Sequence, residues 1–338
     1  MSDISSRKDD HIQLALQPRH QASSGSGFDR LEFEHNALPE LALAEIDCSS
    51  KFLDRTIAAP FMIGAMTGGC DNGELINQHL AEAAEATQIP MALGSQRAAL
   101  DQNLVQNVRR WAPNTMLIGN LGATQLQHHG LDLAKRAVES VSANALIIHL
   151  NPLQELVQPN GDRDWNQVLE AIQNCASDLP VPVIVKEVGS GIGPRTAQRL
   201  SGAGVQWIEI AGRGGTSWPS IELARNGSER EKAIAGPFIN WGMDTAVLVT
   251  HVLRACPAIN LIASGGVRDG LDIAKCIRLG AQMTALAQPF LAPALESSQA
   301  VIGRVQILQE QLRWAMFLTG SQNINALQTA PLFPPLDQ

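Results

Sequence analysis

The sequence feature that most constrains the fold is an alternation of short apolar runs with amphipathic segments, repeated along most of the chain. The apolar runs predict strands at residues 61–66, 90–93, 116–120, 145–150, 183–187, 207–210, 261–264 and 283–287. Apolar residues at three- and four-residue spacing predict helices at 73–87, 131–142, 165–177, 196–201, 245–255 and 271–279, with a closing helix at 302–318. Eight such units without a break in composition predict an α/β protein with one (β/α)8 TIM barrel, rather than an open doubly wound sheet.

The remaining parts of the chain flank or interrupt this pattern. Residues 1–57 are polar, and we predict an irregular N-terminal extension that contributes to the substrate site, with a flexible Ser/Gly-rich loop at 23–27. The barrel with its closing helix then spans 58–338. The long interval between Trp207 and Leu261 predicts an insertion, and the three prolines beyond Leu327 predict an extended tail.

Composition narrows the class of protein. No apolar run approaches the roughly 18–20 residues of a membrane helix, and the charged start lacks the apolar centre of a secretory signal, so we expect a cytoplasmic protein. The net charge of −8 and the absence of a basic run interleaved with aromatics argue against nucleic-acid binding. Five scattered cysteines without a CxxC pair argue against a disulfide framework and a zinc site.

The loop after the fourth candidate strand carries the densest group of polar side chains. His149, Asn151, Gln154 and Glu155 can donate, accept or hold a cation, and in a barrel they would face the active-site end. A single carboxylate, Glu155, suits Mg²⁺ when substrate phosphates supply further ligands. Two plainer readings stay open at this point: a strand-to-helix turn with a hydrogen-bonded core histidine, and a helix-start glutamate favoured by the helix dipole.

Two further loops favour anions. Gly265 and Gly266 precede a candidate helix, where backbone N–H groups can approach a phosphate and Arg268 can close over it. The alternative is an ordinary glycine turn into a helix. Lys186 lies on an apolar strand and would need an anionic partner inside a barrel, unless it faces solvent at the strand end.

Positive charge for a diphosphate would have to be concentrated locally in this acidic protein. Arg7, Lys8 and His11 near the start, and Arg97 at a strand end, are the candidates. Arginines suit this role because they bind phosphate oxygens bidentately. The alternative for the first three is a disordered polar terminus.

Taken together, these motifs resemble the type 2 isopentenyl diphosphate isomerases. The resemblance runs nearly end to end through RKDDHI (7–12), AMTGG (65–69), GSQR (94–97), HLNPLQE (149–155), VKEVG (185–189), GGTSW (214–218) and SGGVR (264–268). It implies a (β/α)8 flavoenzyme that binds FMN, is reduced by NADPH or NADH, requires Mg²⁺ and interconverts isopentenyl and dimethylallyl diphosphate. It also implies a homo-oligomer, either a homotetramer or a homo-octamer.

The resemblance further implies roles for particular residues. The FMN ring and ribityl chain would contact Ala65, Met66, Thr67, Ser95, Asn120, Lys186 and Thr216. The FMN phosphate would lie at Gly265, Gly266, Val267, Arg268, Ala287 and Gln288. The substrate diphosphate would contact Arg7, Lys8, His11, Ser95, Gln96 and Arg97. The reacting end would meet His149, Asn151 and Gln154, with Gln154 also binding substrate and Glu155 holding Mg²⁺.

The chemistry of the reaction is consistent with this inventory. Moving the double bond requires adding a proton at one carbon and removing one from another, through a state with cationic character. The sequence has no tyrosine and no evident pair of strong acids, so we expect reduced FMN to act as acid and base without net redox change. An FMN-dependent oxidoreductase of the hydroxy-acid oxidase or IMP dehydrogenase-like group is the alternative. The first needs a histidine in the loop at 212–218, and the second needs a nucleophilic cysteine on a glycine-rich loop after a central strand; none of the histidines or the five cysteines lies in these places.

Overall fold

In the computed structural model of the chain, residues 3–23, 25–66, 73–102, 104 and 106–333 are described, without the side chains of 3–7, 9 and 226. The N-terminal segment comprises α1 (Asp3–Ala15), β1 (Glu32–Phe33) and a hairpin of β2 (Ser50–Phe52) and β3 (Arg55–Ile57). Short 3₁₀ turns occupy Pro18–His20, Phe28–Arg30 and Leu43–Glu45.

Eight parallel strands form a closed barrel in which each strand pairs with its neighbours in sequence. They are β4 (Phe61–Ile63), β5 (Met91–Ala92), β6 (Leu117–Gly122), β7 (Ala145–His149), β8 (Val183–Lys186), β9 (Trp207–Glu209), β10 (Asn260–Ser264) and β11 (Met283–Leu286). The barrel closes where β11 pairs with β4, with Thr284 opposite Phe61. The predicted TIM barrel is confirmed, and each predicted strand overlaps an observed one.

Helices surround the barrel and fill the connections between its strands. They are α2 (Gly73–Thr87), α3 (Arg97–Asp101), α4 (Val108–Trp111), α5 (Ala123–Val141), α6 (Pro152–Val157), α7 (Val168–Asp178), α8 (Pro194–Gly202), α9 (Trp218–Asn226), α10 (Glu229–Ala235), α11 (Thr245–Ala255), α12 (Gly270–Arg278), α13 (Gln288–Glu296), α14 (Ser298–Leu318) and α15 (Ile324–Leu327). The insertion predicted between β9 and β10 contains α9, α10 and a 3₁₀ turn, Gly236–Phe238. In the described part of the chain, no helix combines the length and apolar character needed to cross a membrane.

The barrel interior is a separate apolar cluster from the layer between strands and helices. Alternate residues of the strands, such as Ile118, Ile147 and Ile262, point inward and pack together. The β2–β3 hairpin adds Phe52, whose ring meets that of Trp207 edge to face at 4.9 Å. The hairpin therefore closes the end of the barrel at which the strands begin.

The N-terminal segment differs from the sequence prediction. It was expected to be irregular, and that prediction was wrong for α1, which packs against α9. The predicted extended tail is observed at β12 (Leu332–Phe333), which pairs antiparallel with β1, whereas residues 334–338 lie outside the described part of the chain. This pairing links the N-terminal segment to the last described residues of the chain.

Candidate active site

A layer of polar side chains lies inside the barrel at the carboxyl ends of the strands, a face called the mouth below. Strand alternation explains the layer, because residues two positions beyond the apolar interior residues point the same way. The layer contains Asn120, His149, Lys186, Glu209 and Ser264, from five consecutive strands. Glu209 and Ser264 had not been predicted as site residues, although their inward parity follows from the strand register.

His149 is held in one tautomer by its neighbour in this layer. The side-chain amide of Asn120 donates from Nδ2 to the carbonyl of Leu93 at 3.0 Å, so its Oδ1 faces His149 Nδ1 at 2.8 Å. Nδ1 must therefore carry the hydrogen of the neutral ring. Burial, reinforced by the positive charges of Lys186 and Lys8, lowers the pKa of His149 to about 3. The ring is neutral at physiological pH.

Lys186 is buried beside Glu209 as the prediction of an anionic partner required. Its Nζ lies 3.6 Å from Glu209 Oε1 and donates to the carbonyl of Glu187 at 2.6 Å. Ser264 donates to the same Glu209 oxygen at 2.8 Å. The other oxygen of Glu209 is buried and has no hydrogen-bond partner among the described residues. Glu209 therefore retains one hydrogen-bond acceptor that the described residues do not use.

The loop after β7 forms a compact hydrogen-bonded turn into α6. Asn151 donates from Nδ2 to Glu155 Oε1 at 2.8 Å, and the backbone N–H of Asp162 donates to Glu155 Oε2 at 2.8 Å. Each carboxylate oxygen therefore keeps a further lone pair for a cation. No group of three or more His, Cys, Asp or Glu side chains in the described residues could hold a metal alone. A metal at Glu155 would need oxygens from its substrate, which fits Mg²⁺.

Glu222, on α9, contacts several polar side chains of this region and had not been predicted as a site residue. The carboxylate is 1% exposed, accepts a hydrogen bond from Gln154 Nε2 at 2.9 Å, and lies 3.0 Å from His11 Nε2 and 3.1 Å from Arg225 Nη1. Burial raises the pKa of Glu222, but the hydrogen bonds from His11 and Gln154 and the charge of Arg225 outweigh it, and the pKa is lowered. The available sequence signal was a carboxylate between two apolar residues of α9, Ile221 and Leu223, both of which are buried.

The loop between β10 and α12, residues 264–269 and called the glycine loop below, has the form of an anion cradle. The backbone N–H groups of Gly265, Gly266 and Val267 have no hydrogen-bond acceptor among the described residues. Gly265 has a φ of 98°, and a Cβ there would lie 2.0 Å from the carbonyl oxygen of Gly212, so only glycine fits. Free N–H groups at a helix start are suited to a phosphate.

The guanidinium of Arg268 lies over this loop between two side-chain amides. Its Nη1 donates to Gln288 Oε1 at 3.1 Å and its Nη2 donates to Gln21 Oε1 at 2.8 Å. Gln288 and Ala287, both predicted to contact the same phosphate, begin α13 after the adjacent strand. Thr216 lies on the loop after β9, where its hydroxyl is 3.5 Å from Gln21 Oε1. Gln21 had not been predicted as a site residue.

The residues predicted to contact FMN in the first two barrel loops are Ala65, Met66, Thr67 and Ser95. Ala65 and Met66 follow β4 and are half-buried, as is Ser95, which follows β5. Thr67 lies outside the described residues.

The groups predicted to bind diphosphate come from α1 and from the start of α3. Lys8 is half-buried, and its charge acts on His149. Arg97 is half-exposed, with Nε 3.6 Å from Asp101 Oδ2. Arg7 lies in α1, but its side chain is outside the described part of the chain.

Gln96, which was also predicted to contact the diphosphate, has its side chain turned away from the mouth. Its side chain is 0% exposed and turns into the wall behind the barrel, where Nε2 donates to the carbonyl of Ala137 at 3.0 Å and Oε1 accepts from Asn120 N at 2.8 Å. The side-chain amide is therefore hydrogen-bonded within the protein through both its nitrogen and its oxygen. Its position after a strand resembled that of a mouth residue, but its side chain points to the opposite face.

Comparison with known proteins identifies a matching family model and closely similar sequences. Residues 148–333 match the family model for FMN-dependent dehydrogenases. The isopentenyl-diphosphate delta-isomerase of Stutzerimonas stutzeri (strain A1501) is 49% identical, covering 97% of this chain and 96% of that protein. The protein of that name from Cronobacter sakazakii (strain ATCC BAA-894) is 46% identical, covering 98% and 97%.

Solved structures with the same fold are more distant in sequence. Mandelate oxidase with (S)-2-phenylpropionate superimposes with a TM-score of 0.64 at 18% identity, covering 98% of this chain and 97% of that one. A mandelate oxidase variant with a C4a-OH-FMN adduct gives a TM-score of 0.65 at 18% identity, covering 99% of each chain. At this identity the likeness shows the fold alone.

Proposed function

The chain belongs to the isopentenyl-diphosphate delta-isomerase family, and on that premise we propose that it interconverts isopentenyl diphosphate and dimethylallyl diphosphate with FMN and Mg²⁺. The observation that carries this proposal is the buried network that joins Gln154 to Glu222, beside the Glu155 carboxylate on the same turn. An oxidase needs a base instead, and the loop between β9 and α9 contains no histidine. The residues of the mouth bind, orient and neutralise rather than supply strong acids.

The FMN phosphate would be bound by the free N–H groups of the glycine loop, with Arg268 closing over it beside Ala287 and Gln288. Ala65, Met66, Thr67, Ser95, Asn120 and Thr216 would line the rest of the flavin. When bound and reduced, with NADPH or NADH as electron donor, the flavin would supply an electron-rich ring and an acid–base nitrogen at N5. Lys186 would provide positive charge beside it, held in place by Glu209.

The substrate diphosphate would be held by Mg²⁺ and by cationic side chains. Glu155 would contribute one carboxylate oxygen to the metal, which would supply charge neutralisation for the phosphate oxygens. Arg7, Lys8, His11, Ser95 and Arg97 would complete the site. We propose in this sense that residues 1–57 form an extension that contributes to substrate binding, while 58–338 form the flavin-binding barrel.

At the reacting end, Gln154 would orient the substrate, because its own amide is fixed by Glu222. Asn151 holds Glu155 and so sets the position of the metal ligand. His149 is neutral, since its pKa is lowered to about 3, and would act as a hydrogen-bonding group rather than as an acid. We further propose a homotetramer or homo-octamer, which light scattering of the purified protein would measure.

The test is turnover of isopentenyl diphosphate in deuterium oxide, under anaerobic conditions, with FMN, Mg²⁺ and a limiting amount of NADPH. We expect dimethylallyl diphosphate that carries solvent deuterium, formed in many-fold excess over the NADPH consumed. Consumption of one NADPH per product molecule would rule out an isomerisation without net redox change. Turnover of a 2-hydroxy acid in place of the diphosphate would favour the oxidoreductase alternative.

A further inference from the structure

Gln21 connects two parts of the proposed site that come from distant parts of the sequence. Its side-chain Nε2 donates to the carbonyl of Ala15, the last residue of α1, at 3.0 Å. Its Oε1 accepts from Arg268 Nη2 at 2.8 Å. A primary amide can make both contacts at once, because its NH₂ group donates and its carbonyl oxygen accepts. One amide group therefore joins the helix that carries Lys8 and His11 to the glycine loop.

The backbone around Gln21 lies directly on the same loops. Ala22 N donates to the carbonyl of Gly215 at 2.7 Å, and Ser217 N donates to the carbonyl of His20 at 2.8 Å. A Cβ on Gly266 would lie 2.8 Å from Ser26 Cβ, and one on Gly214 would lie 2.5 Å from Ser26 Cα. The segment of described residues from 17 to 26, called the strap below, therefore packs against both glycine-rich loops without room for side chains.

We propose that Gln21 is a positioning residue that couples binding of FMN to binding of the diphosphate substrate. The proposal rests on the function proposed above, in which the FMN phosphate lies at the glycine loop and α1 contributes cations to the diphosphate. A bound phosphate fixes the guanidinium of Arg268, Arg268 fixes the amide of Gln21, and Gln21 fixes the end of α1. Because linkage is reciprocal, a bound diphosphate that holds α1 in place makes the FMN site tighter by the same factor.

The expected size of the coupling follows from the bonds involved. A hydrogen bond to a charged group is a strong one, and its loss from Arg268 would weaken FMN binding roughly tenfold. Coupling between two sites typically changes affinity about 5- to 150-fold. We therefore expect magnesium pyrophosphate to tighten FMN binding at least about fivefold in the unaltered protein, and we expect this factor to approach one when the Gln21 link is removed.

The experiment measures the FMN dissociation constant by quenching of flavin fluorescence on the full-length apoprotein, with and without saturating magnesium pyrophosphate. Gln21→Met keeps the length of the side chain and removes its hydrogen bonds to Ala15, Arg268 and Thr216. Gln17→Met is the matched control, because Gln17 lies in the same segment and its side chain donates to the carbonyl of Gln13 at 3.4 Å in an exposed hydrogen bond. We expect Gln21→Met to raise the FMN dissociation constant and abolish the coupling, and Gln17→Met to change neither.

A second variant separates coupling from folding. Gln21→Glu can still accept from Arg268 but cannot donate to Ala15, so it should lose the coupling while the protein stays folded. A coupling factor that survives in Gln21→Met or Gln21→Glu would overturn the inference, as would an unchanged FMN dissociation constant in Gln21→Met. The thermal midpoint of each apoprotein is recorded alongside, because a purely structural role would lower the midpoint and leave the coupling factor intact.

Arg268→Lys distinguishes this inference from the proposed function on which it rests. If this variant binds FMN as tightly as the unaltered protein, the placement of the phosphate fails and the coupling proposal fails with it. If Arg268→Lys weakens FMN binding while the Gln21 variants keep their coupling, only the role of Gln21 is overturned.

Discussion

Glu155 is the residue through which a metal requirement can be tested directly. Its two oxygens accept hydrogen bonds from Asn151 and Asp162, so Glu155→Gln keeps the shape but removes the charge and turns one acceptor into a donor. We expect the Mg²⁺ concentration for half-maximal activity to rise by at least the roughly tenfold typical of losing an outer-shell partner, together with a higher KM for the diphosphate. Activity is titrated with MgCl₂ at saturating FMN.

The control for this titration is a glutamate in an equivalent helical position. Glu170 lies in the first turn of α7 and is exposed, so Glu170→Gln has the same effect on a helix dipole without touching the mouth. If Glu155→Gln gave the magnesium titration of Glu170→Gln, the carboxylate would be a helix-start residue and the metal assignment would be refuted.

His149 makes a second prediction, which concerns stability and pH. Its pKa in the folded protein, about 3, lies below the usual 6.5, so the unfolded chain binds more protons whenever the pH is below 6.5. Stability therefore falls as the pH drops from 7 toward 3. Between pH 7 and pH 5 the unfolding free energy should fall by about 1 to 2 kcal/mol on account of this ring. The range allows for the partial exposure of the ring to solvent, which reduces the effect. His149→Gln should lose less unfolding free energy than the unaltered protein between pH 7 and pH 5, by that amount.

Urea unfolding at the two pH values measures this difference. His251→Gln, on the exposed side of α11, serves as the matched substitution. Equal losses of unfolding free energy in all three proteins would show that His149 is free to take up a proton in the folded state.

At the scale of helices and strands, the sequence predicted the elements whose pattern is local. The barrel strands are short apolar runs, and α2 and α11 have the bounds that their apolar spacing predicted. The prediction failed for α1, which has eight polar residues among its first nine and packs against α9. Tertiary packing, rather than the sequence of the helix, stabilises it.

The same distinction explains which site residues the sequence revealed. Lys186 and the glycine loop could be recognised from the residues next to them in the sequence. Lys186 is a charged residue in an apolar strand, and the glycine loop has two glycines before a helix. Glu222 and Gln21 could not be recognised in this way, because their partners are distant in sequence: Glu222 contacts His11, and Gln21 contacts Arg268. The direction of the Gln96 side chain was not evident from the sequence either, because a loop residue can turn its side chain outward into the barrel wall.

At the scale of the whole molecule, the polar groups of the proposed site and the apolar groups that close the barrel lie at opposite ends of the barrel axis. The mouth holds the polar layer, while the β2–β3 hairpin seals the other end with Phe52, which is 1% exposed and packs on Trp207. In this fold, groups at the amino-terminal end contribute to stability rather than to catalysis. A change at Phe52 should therefore alter the unfolding free energy without altering the site.

Phe52→Ala tests this separation. Removing a buried phenylalanine leaves a cavity and should lower the unfolding free energy by about 3 to 5 kcal/mol, measured by urea denaturation of the FMN-loaded protein. The FMN dissociation constant and the KM for isopentenyl diphosphate should stay within about twofold of the unaltered values, because uncoupled sites contribute independently. Phe333→Ala, at a position 52% exposed, should change the unfolding free energy by less than about 0.5 kcal/mol. A large shift in FMN affinity in Phe52→Ala, without the loss of stability, would mean that the barrel interior transmits strain to the mouth and that its two ends are not independent.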